Sequence, residues 1–154
     1  KYNCLRSMKK FLIAIIIISF YGCGYTSFYQ DQKRDLLINI KNMKGDFEIN
    51  NFIKNELKIA SNKTSKNIYD LNIETKYEKI VLTKDATGKA TDYKLVMNVN
   101  FIIISNQNQN ITFKEDFLIK NESDNFEQSN YEKEIKRNFS KIVKDKLIIY
   151  ILNQ

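Results

Sequence analysis

Few residues in this chain are placed to do chemistry. Asp70 with Glu74, and Glu132 with Asp145, are the carboxylate pairs that a general acid and base would draw on. Both pairs sit among lysines and asparagines, a pattern of solvated charge on an exposed face rather than of a tuned site. The chain has no histidine, so it lacks the side chain that titrates nearest neutrality and the commonest metal ligand. Its glycines, Gly22, Gly24, Gly45 and Gly88, lie too far apart for a phosphate-cradling loop. No nucleophile pairs with a base, and no metal-ligand spacing occurs. The expectation is a protein that is not an enzyme, with no catalytic residue, no cofactor and no metal site.

Cys23 carries a more specific signal. Met8-Lys9-Lys10 forms a positive segment, and the almost wholly apolar run from Phe11 to Phe20 has the length of a secretory signal. The run falls short of the roughly 20 residues that a membrane-spanning helix needs. Residues 1–22 therefore read as upstream residues and a signal peptide that starts at Met8. Phe20-Tyr21-Gly22-Cys23 resembles a lipobox, where bacterial lipoproteins are acylated on the cysteine and cleaved just before it. Gly22 and Cys23 match, while Phe20 and Tyr21 stand where leucine and a small residue are usual. The resemblance implies lipid attachment at Cys23 and membrane anchoring through N-terminal acyl chains, each buried methylene contributing about 0.8 kcal/mol. Residues 23–33 become a lipidated linker. Processing leaves one cysteine, so no internal disulfide is available and the core must hold the fold.

The formal charge of +7 suggests a polyanion partner at first sight. Lys1, Arg6, Lys9 and Lys10 precede Cys23 and no acidic residue does, which leaves 21 basic against 18 acidic residues from Cys23 onward, a balance of +3. That is ordinary for a soluble surface, and no nucleic-acid partner is expected. The length of 154 residues suits one domain, placed at residues 34–154.

The elements follow from hydrophobic periodicity. Leu36, Ile38 and Ile40 share one face of a first strand. Asp46 can cap a helix over Phe47 to Ala60, with Ile49, Phe52, Ile53, Leu57 and Ala60 at helical spacing. Tyr69, Leu71, Ile73, Thr75 and Tyr77 then alternate with polar residues, the two-residue period of a strand with one wet face. Asp85-Ala86-Thr87-Gly88 turns the chain into a strand with Tyr93, Leu95, Met97, Val99, Phe101 and Ile103 on one face. A last strand carries Ile111, Phe113, Phe117 and Ile119, interrupted by Glu115. Ser129-Asn130-Tyr131-Glu132 has the form of a capping box, so a helix is expected to start there. Its apolar stripe reads Ile135, Phe139, Ile142, Val143, Leu147 and Tyr150, with Lys136, Arg137, Lys141 and Lys144 on the other faces.

The order β-α-β-β-β-α predicts a two-layer α/β domain: a four-stranded mixed sheet with two helices packed on one face. The other face, with Asp70, Asn72, Glu74, Lys76, Lys94, Asn98, Asn100, Thr112, Lys114 and Asp116, is left polar.

With Cys23-Gly24-Tyr25 after the signal, and the hairpin Lys84-Asp85-Ala86-Thr87-Gly88-Lys89-Ala90-Thr91-Asp92-Tyr93-Lys94-Leu95, the chain is similar to the LptE family of lipopolysaccharide-assembly lipoproteins. The similarity covers nearly the whole chain from Cys23. It implies a non-catalytic lipoprotein anchored on the periplasmic side of the outer membrane, which plugs and helps assemble the LptD barrel and contacts lipopolysaccharide. Gly24 after the cysteine is compatible with passage to the outer membrane in such proteins. Lys84 matches the family's basic hairpin residue and Lys89 lies across the same turn, so both are candidate lipopolysaccharide-binding residues. A lipid-anchored accessory subunit of another envelope transporter, and a lipoprotein enzyme with an unrecognised site, stay open as alternatives.

Overall fold

The computed structural model describes residues 35–153 other than 106. The signal segment, the start at Met8, the linker and Cys23 lie outside the described residues. Strand β1 (Leu37–Lys44) leads into helix α1 (Phe47–Ala60), followed by β2 (Ile68–Lys84), β3 (Ala90–Ile104), β4 (Gln109–Lys120) and helix α2 (Asn125–Leu152). The sheet runs β1-β2-β3-β4. The α1 crossover makes β1 parallel to β2, and the two hairpins make the remaining pairs antiparallel. This is the predicted two-layer α/β arrangement, with both helices against the same sheet face.

The exit from β1 depends on one residue. Gly45 has φ +102°, and a Cβ there would lie 1.7 Å from the Thr75 carbonyl oxygen, so only glycine fits where β1 gives way to α1. Asp46 then caps α1, its carboxylate accepting the Ile49 N–H at 2.9 Å. The helix buries Ile49, Ile53 and Leu57. The alternating strands supply Leu71 and Ile73 from β2 and Leu95, Met97, Val99 and Phe101 from β3, all fully buried. Phe139, Val143 and Leu147 of α2 close the core from above. Burial of each such side chain contributes roughly 1.5–3 kcal/mol. Phe113 on the β4 edge is half-buried and meets Phe101 edge-on, with centroids 6.0 Å apart and planes at 65°. Every buried hydrophobic residue of this cluster lies between Leu36 and Ile151.

Helix α2 departs from the sequence reading in three ways. It starts at Asn125 rather than near Ser129, because the Asp124 carboxylate accepts the N–H of Phe126 at 2.6 Å and of Glu127 at 3.4 Å. A carboxylate already holding the free amides leaves the Ser129 capping box inside the helix. The buried stripe is also turned, with Ile148 and Ile151 inside while Ile142 and Tyr150 are exposed. Lys136, expected on an outer face, is buried. One cause accounts for the last two: α2 packs on α1 as well as on the sheet, so its covered side widens toward α1.

Candidate functional site: the open sheet face and the hairpin tip

Among the described residues, no helix covers the sheet face opposite the core. Its rows follow from strand register. Asn39, Asp70 and Ile104 form one; Asn42, Asn72, Ile102 and Asn110 the next; Lys44, Glu74, Asn100 and Thr112 another; then Lys76, Asn98 and Lys114; Glu78, Val96 and Asp116; and Ile80, Lys94 and Leu118. Lysines alternate with carboxylates, and many pair: Lys41 with Asp70 at 3.2 Å, Lys76 with Glu78 at 2.6 Å, Lys94 with Asp116 at 2.6 Å. Hydrogen bonds from Lys76 and Lys94 hold the Glu78 and Asp116 carboxyls below their usual range. The face is therefore polar and nearly balanced in charge, a surface for hydrogen bonding rather than for gripping a polyanion. Amides add to it: Asn39 donates to Asp70 at 3.2 Å and Thr112 to Asn100 at 3.2 Å. Asn98 Oδ1 is buried beneath its neighbours and has no hydrogen-bond partner among the described residues. The polar reading missed apolar residues at both ends of the face: Ile80 and Leu118 flank Lys94 and are exposed, and at the other end Ile104 is exposed beside Asp70, with Ile102 in the next row.

At the far end of β2 and β3, Asp85 builds the turn. Its carboxylate accepts the N–H of Thr87 at 2.8 Å and of Lys89 at 3.0 Å and the Thr87 hydroxyl at 2.6 Å. These bonds, the Thr87 hydroxyl foremost, lower its pKa. Gly88 takes φ +85° in open space. Lys84 ends β2 opposite Ala90 and Lys89 follows the glycine, both exposed. The structure thus brings the two candidate lysines to opposite arms of one turn. Lys89 also lines a groove of about 420 Å³ with Asp85, Asp92, Lys120 and Glu122, so carboxylates share the tip with the ammonium groups. Hydrogen bonds from Thr83 and Thr91 hold Asp92 charged.

Three of the four carboxylates considered for catalysis are engaged by neighbouring amides or cations. Asp70 is held by Asn39 and Lys41. Glu132 and Asp145 lie 13 positions apart on α2, about 20 Å along the axis, and pair separately with Lys79 and Lys144. No group of three or more acidic, cysteine or histidine side chains could hold a metal among the described residues.

A polar cluster between the layers escaped the sequence reading. Glu132 accepts from Tyr77 at 2.9 Å, Lys79 at 2.5 Å and Gln128 at 2.7 Å. Lys136 lies 4.0 Å over the Tyr77 ring and donates to Glu48 at 2.8 Å and Asp46 at 3.4 Å. Burial raises the Tyr77 phenol well above its ordinary range, and the bond to Glu132 adds to this. Burial alone would raise Glu132, but the donors from Lys79, Gln128 and Tyr77 outweigh it and its pKa is lowered. A usable signal was present. Lys79 and Glu115 break the apolar alternation of β2 and β4, and α2 answers each with the opposite charge, Glu132 to Lys79 and Lys146 to Glu115 at 2.9 Å.

A four-stranded mixed sheet with a parallel β1 crossover, two helices on one face and the other face open defines the structural class. The same fold occurs in solved bacterial lipoproteins. Rare lipoprotein B from Shewanella oneidensis superposes with a TM-score of 0.56 at 14% identity, covering 77% of this chain and 96% of its own. A putative lipoprotein from Caulobacter crescentus superposes at 0.50 and 11% identity, covering 75% and 90%. No protein-family profile matches the sequence, and no curated protein does. The resemblance to the LptE family holds at the level of the fold.

Proposed function

We propose that this chain is a non-catalytic, lipid-anchored subunit of the outer membrane that seats in an LptD-like β-barrel, helps it assemble, and contacts lipopolysaccharide. The observation carrying this reading is the uncovered sheet face, polar and close to electroneutral. A wide outer-membrane barrel has a polar interior, so a plug needs a surface that exchanges hydrogen bonds with it rather than an apolar one. The fold shared with solved lipoproteins supports the envelope setting, and the lipobox-like Cys23 supplies the anchor. The deciding experiment is affinity capture of the chain from detergent-solubilised outer membrane. An LptD-like barrel is the expected co-purifying protein. Capture of a different envelope transporter would move the chain to the accessory-subunit alternative, and capture of no barrel would end the plug reading.

A further inference from the structure

Helix α2 leaves part of its apolar surface uncovered, on one side. Ile142, Ile149 and Tyr150 are exposed, and with Lys146 they recur at the three- and four-residue spacing of a single helix face. That face borders β4. The Lys146 ammonium reaches Glu115 at 2.9 Å and stands 5.9 Å from the centre of the Phe113 ring, and the Tyr150 hydroxyl meets Gln109 at 3.3 Å. Between helix and strand runs a groove of about 500 Å³, lined by Ile111, Phe113, Lys146, Ile149, Tyr150 and Asn153.

Strand β4 is also an edge strand, and its register with β3 runs from Gln109 to Lys120 without a bulge. Just past its end, and in the same register, the Asn121 N–H donates to the Thr91 carbonyl at 2.7 Å. Bonded positions alternate along an antiparallel pair. Odd-numbered residues of β4 therefore bond to β3, while Thr112, Lys114, Asp116, Leu118 and Lys120 turn their N–H and C=O groups outward. The β1 edge differs. Ser61 Oγ accepts the Ile38 N–H at 2.9 Å, the Asn62 N–H donates to the Leu36 carbonyl at 2.8 Å, and the register shifts after Ile40. Covering loops and bulges are how a sheet blunts an edge that must not pair. Among the described residues, β1 has both and β4 has neither.

We propose that the β4 edge receives an extended segment of the barrel partner as a fifth strand, apolar at alternate positions and acidic between them. This deepens the plug reading and rests on it for the partner's identity. The occupant is a polypeptide because main chain repeats donor and acceptor at the interval of the outward groups, about 6.8 Å. Its apolar side chains enter the groove against Ile111, Phe113, Ile149 and Tyr150. Its intervening side chains lie beside Lys114 and Lys120 on the open face, and neither lysine makes an ion pair among the described residues. Asp116, between them, is engaged by Lys94 at 2.6 Å, so the free charge along this edge is positive. A second copy fits less well: aligned antiparallel over the whole strand, it sets Lys114 opposite Lys114 or Glu115 opposite Glu115.

The test uses the full chain in detergent and a fluorescent synthetic peptide of the length of β4, alternating valine with glutamate. The peptide should bind, and an isomer with its valines and glutamates in two blocks should not. N-methylation of every second amide should abolish binding in one phase and spare it in the other, since only one edge of the peptide pairs. Thr112→Pro removes an outward N–H, keeps the bonds to β3, and should weaken binding about tenfold. Lys114→Glu with Lys120→Glu should weaken it severalfold, and a valine–lysine peptide should bind that variant better than the parent. Lys84→Glu with Lys89→Glu should change nothing. Should Thr112→Pro unfold by circular dichroism, the two N-methylated peptides carry the test. No binding of the alternating peptide, equal binding of both N-methylated forms, or equal binding of the blocked isomer would overturn strand addition. A dimer that sediments as such and is dissolved by Thr112→Pro would give the edge to a second copy and overturn the partner. If a barrel co-purifies with Thr112→Pro as well as with the parent, its segment does not lie on this edge. If none co-purifies with either, the plug reading fails separately, and the peptides still decide whether the edge accepts a strand.

Discussion

The Lys136 ammonium lies 4.0 Å from the centre of the Tyr77 ring and 2.8 Å from Glu48, which ties α2 to both β2 and the first turn of α1. Its side chain is only 8% exposed, while Asp46 and Glu48 remain within reach of water. Truncating Lys136 to Ala removes both the cation and the packing of its methylenes on Tyr77, at an expected cost of about 2–3 kcal/mol. Lys136→Met keeps the packing and should cost less than about 1 kcal/mol. Urea unfolding of the two variants checks the difference. Equal costs would show that the ring contact contributes little.

The same cluster sets a pH dependence. The Glu132 carboxyl has a folded pKa below its ordinary value of 4.5, so its contribution to stability is complete above that value and is lost as pH falls through the folded one. The Tyr77 phenol is shifted the other way, from an ordinary value of 10.0. Its contribution is complete below 10.0 and fades as pH rises beyond it. Thermal melts should show stability falling on acidification below the carboxylate range and again in strong alkali. Glu132→Gln should flatten the acid limb, and Tyr77→Phe the alkaline one. An acid limb unchanged in Glu132→Gln would assign it to other carboxylates.

Two glycines separate steric demand from conformational demand. Gly45→Ala meets the Thr75 carbonyl at 1.7 Å as well as a left-handed φ, and the domain should lose more than about 4 kcal/mol or fail to fold. Gly88→Ala meets only its φ of +85° in open space, and should cost about 1 kcal/mol. Denaturant midpoints measure both. Comparable losses at the two sites would show that backbone conformation, not the close approach, limits Gly45.

The strand residues were legible because alternation is a local signal: Leu71, Ile73, Leu95, Met97, Val99 and Phe101 are buried as their spacing implied. The Asp46 cap was legible for the same reason, since a carboxylate one position ahead of a helix acts on its nearest amides. What escaped was set by tertiary neighbours. Whether Ile142 or Ile148 faces inward depends on where α1 lies, which no periodicity within α2 encodes. Lys136 is buried because Tyr77, Glu48 and Asp46 meet it from distant positions, and only the breaks at Lys79 and Glu115 hinted that charge lay between the layers. Of the candidate site, the sequence placed Lys84 and Lys89 on one turn. It did not show that Asp85, Asp92 and Glu122 crowd the same tip.

Phe139 sits fully buried in the shared core of both layers. Phe139→Ala should cost about 3–5 kcal/mol in denaturant unfolding. A loss below about 1 kcal/mol would mean that α2 does not close the core.

Contact with lipopolysaccharide, as part of the proposed function, makes the hairpin tip its own test. Lipid A carries phosphates, and the exposed ammonium groups nearest the turn are those of Lys84 and Lys89, on its two arms. Asp85 and Asp92 are held ionised by hydrogen bonds, so the tip does not become a strong anion site by losing negative charge near neutral pH. Any attraction from the lysines acts through water, is modest, and is screened by salt. Lys84→Glu with Lys89→Glu should therefore weaken lipopolysaccharide binding strongly at low salt and little at high salt. The melting temperature should barely move, because neither ammonium group makes an ion pair among the described residues and the backbone bonds of the turn are kept. Asp92→Asn removes one of the opposing charges and should strengthen binding in the same assay, while Asp85 is kept because it builds the turn. If the folded double variant binds lipopolysaccharide as the parent does, and Asp92→Asn changes nothing, the tip has no part in the contact and the lipid must meet another surface of the domain.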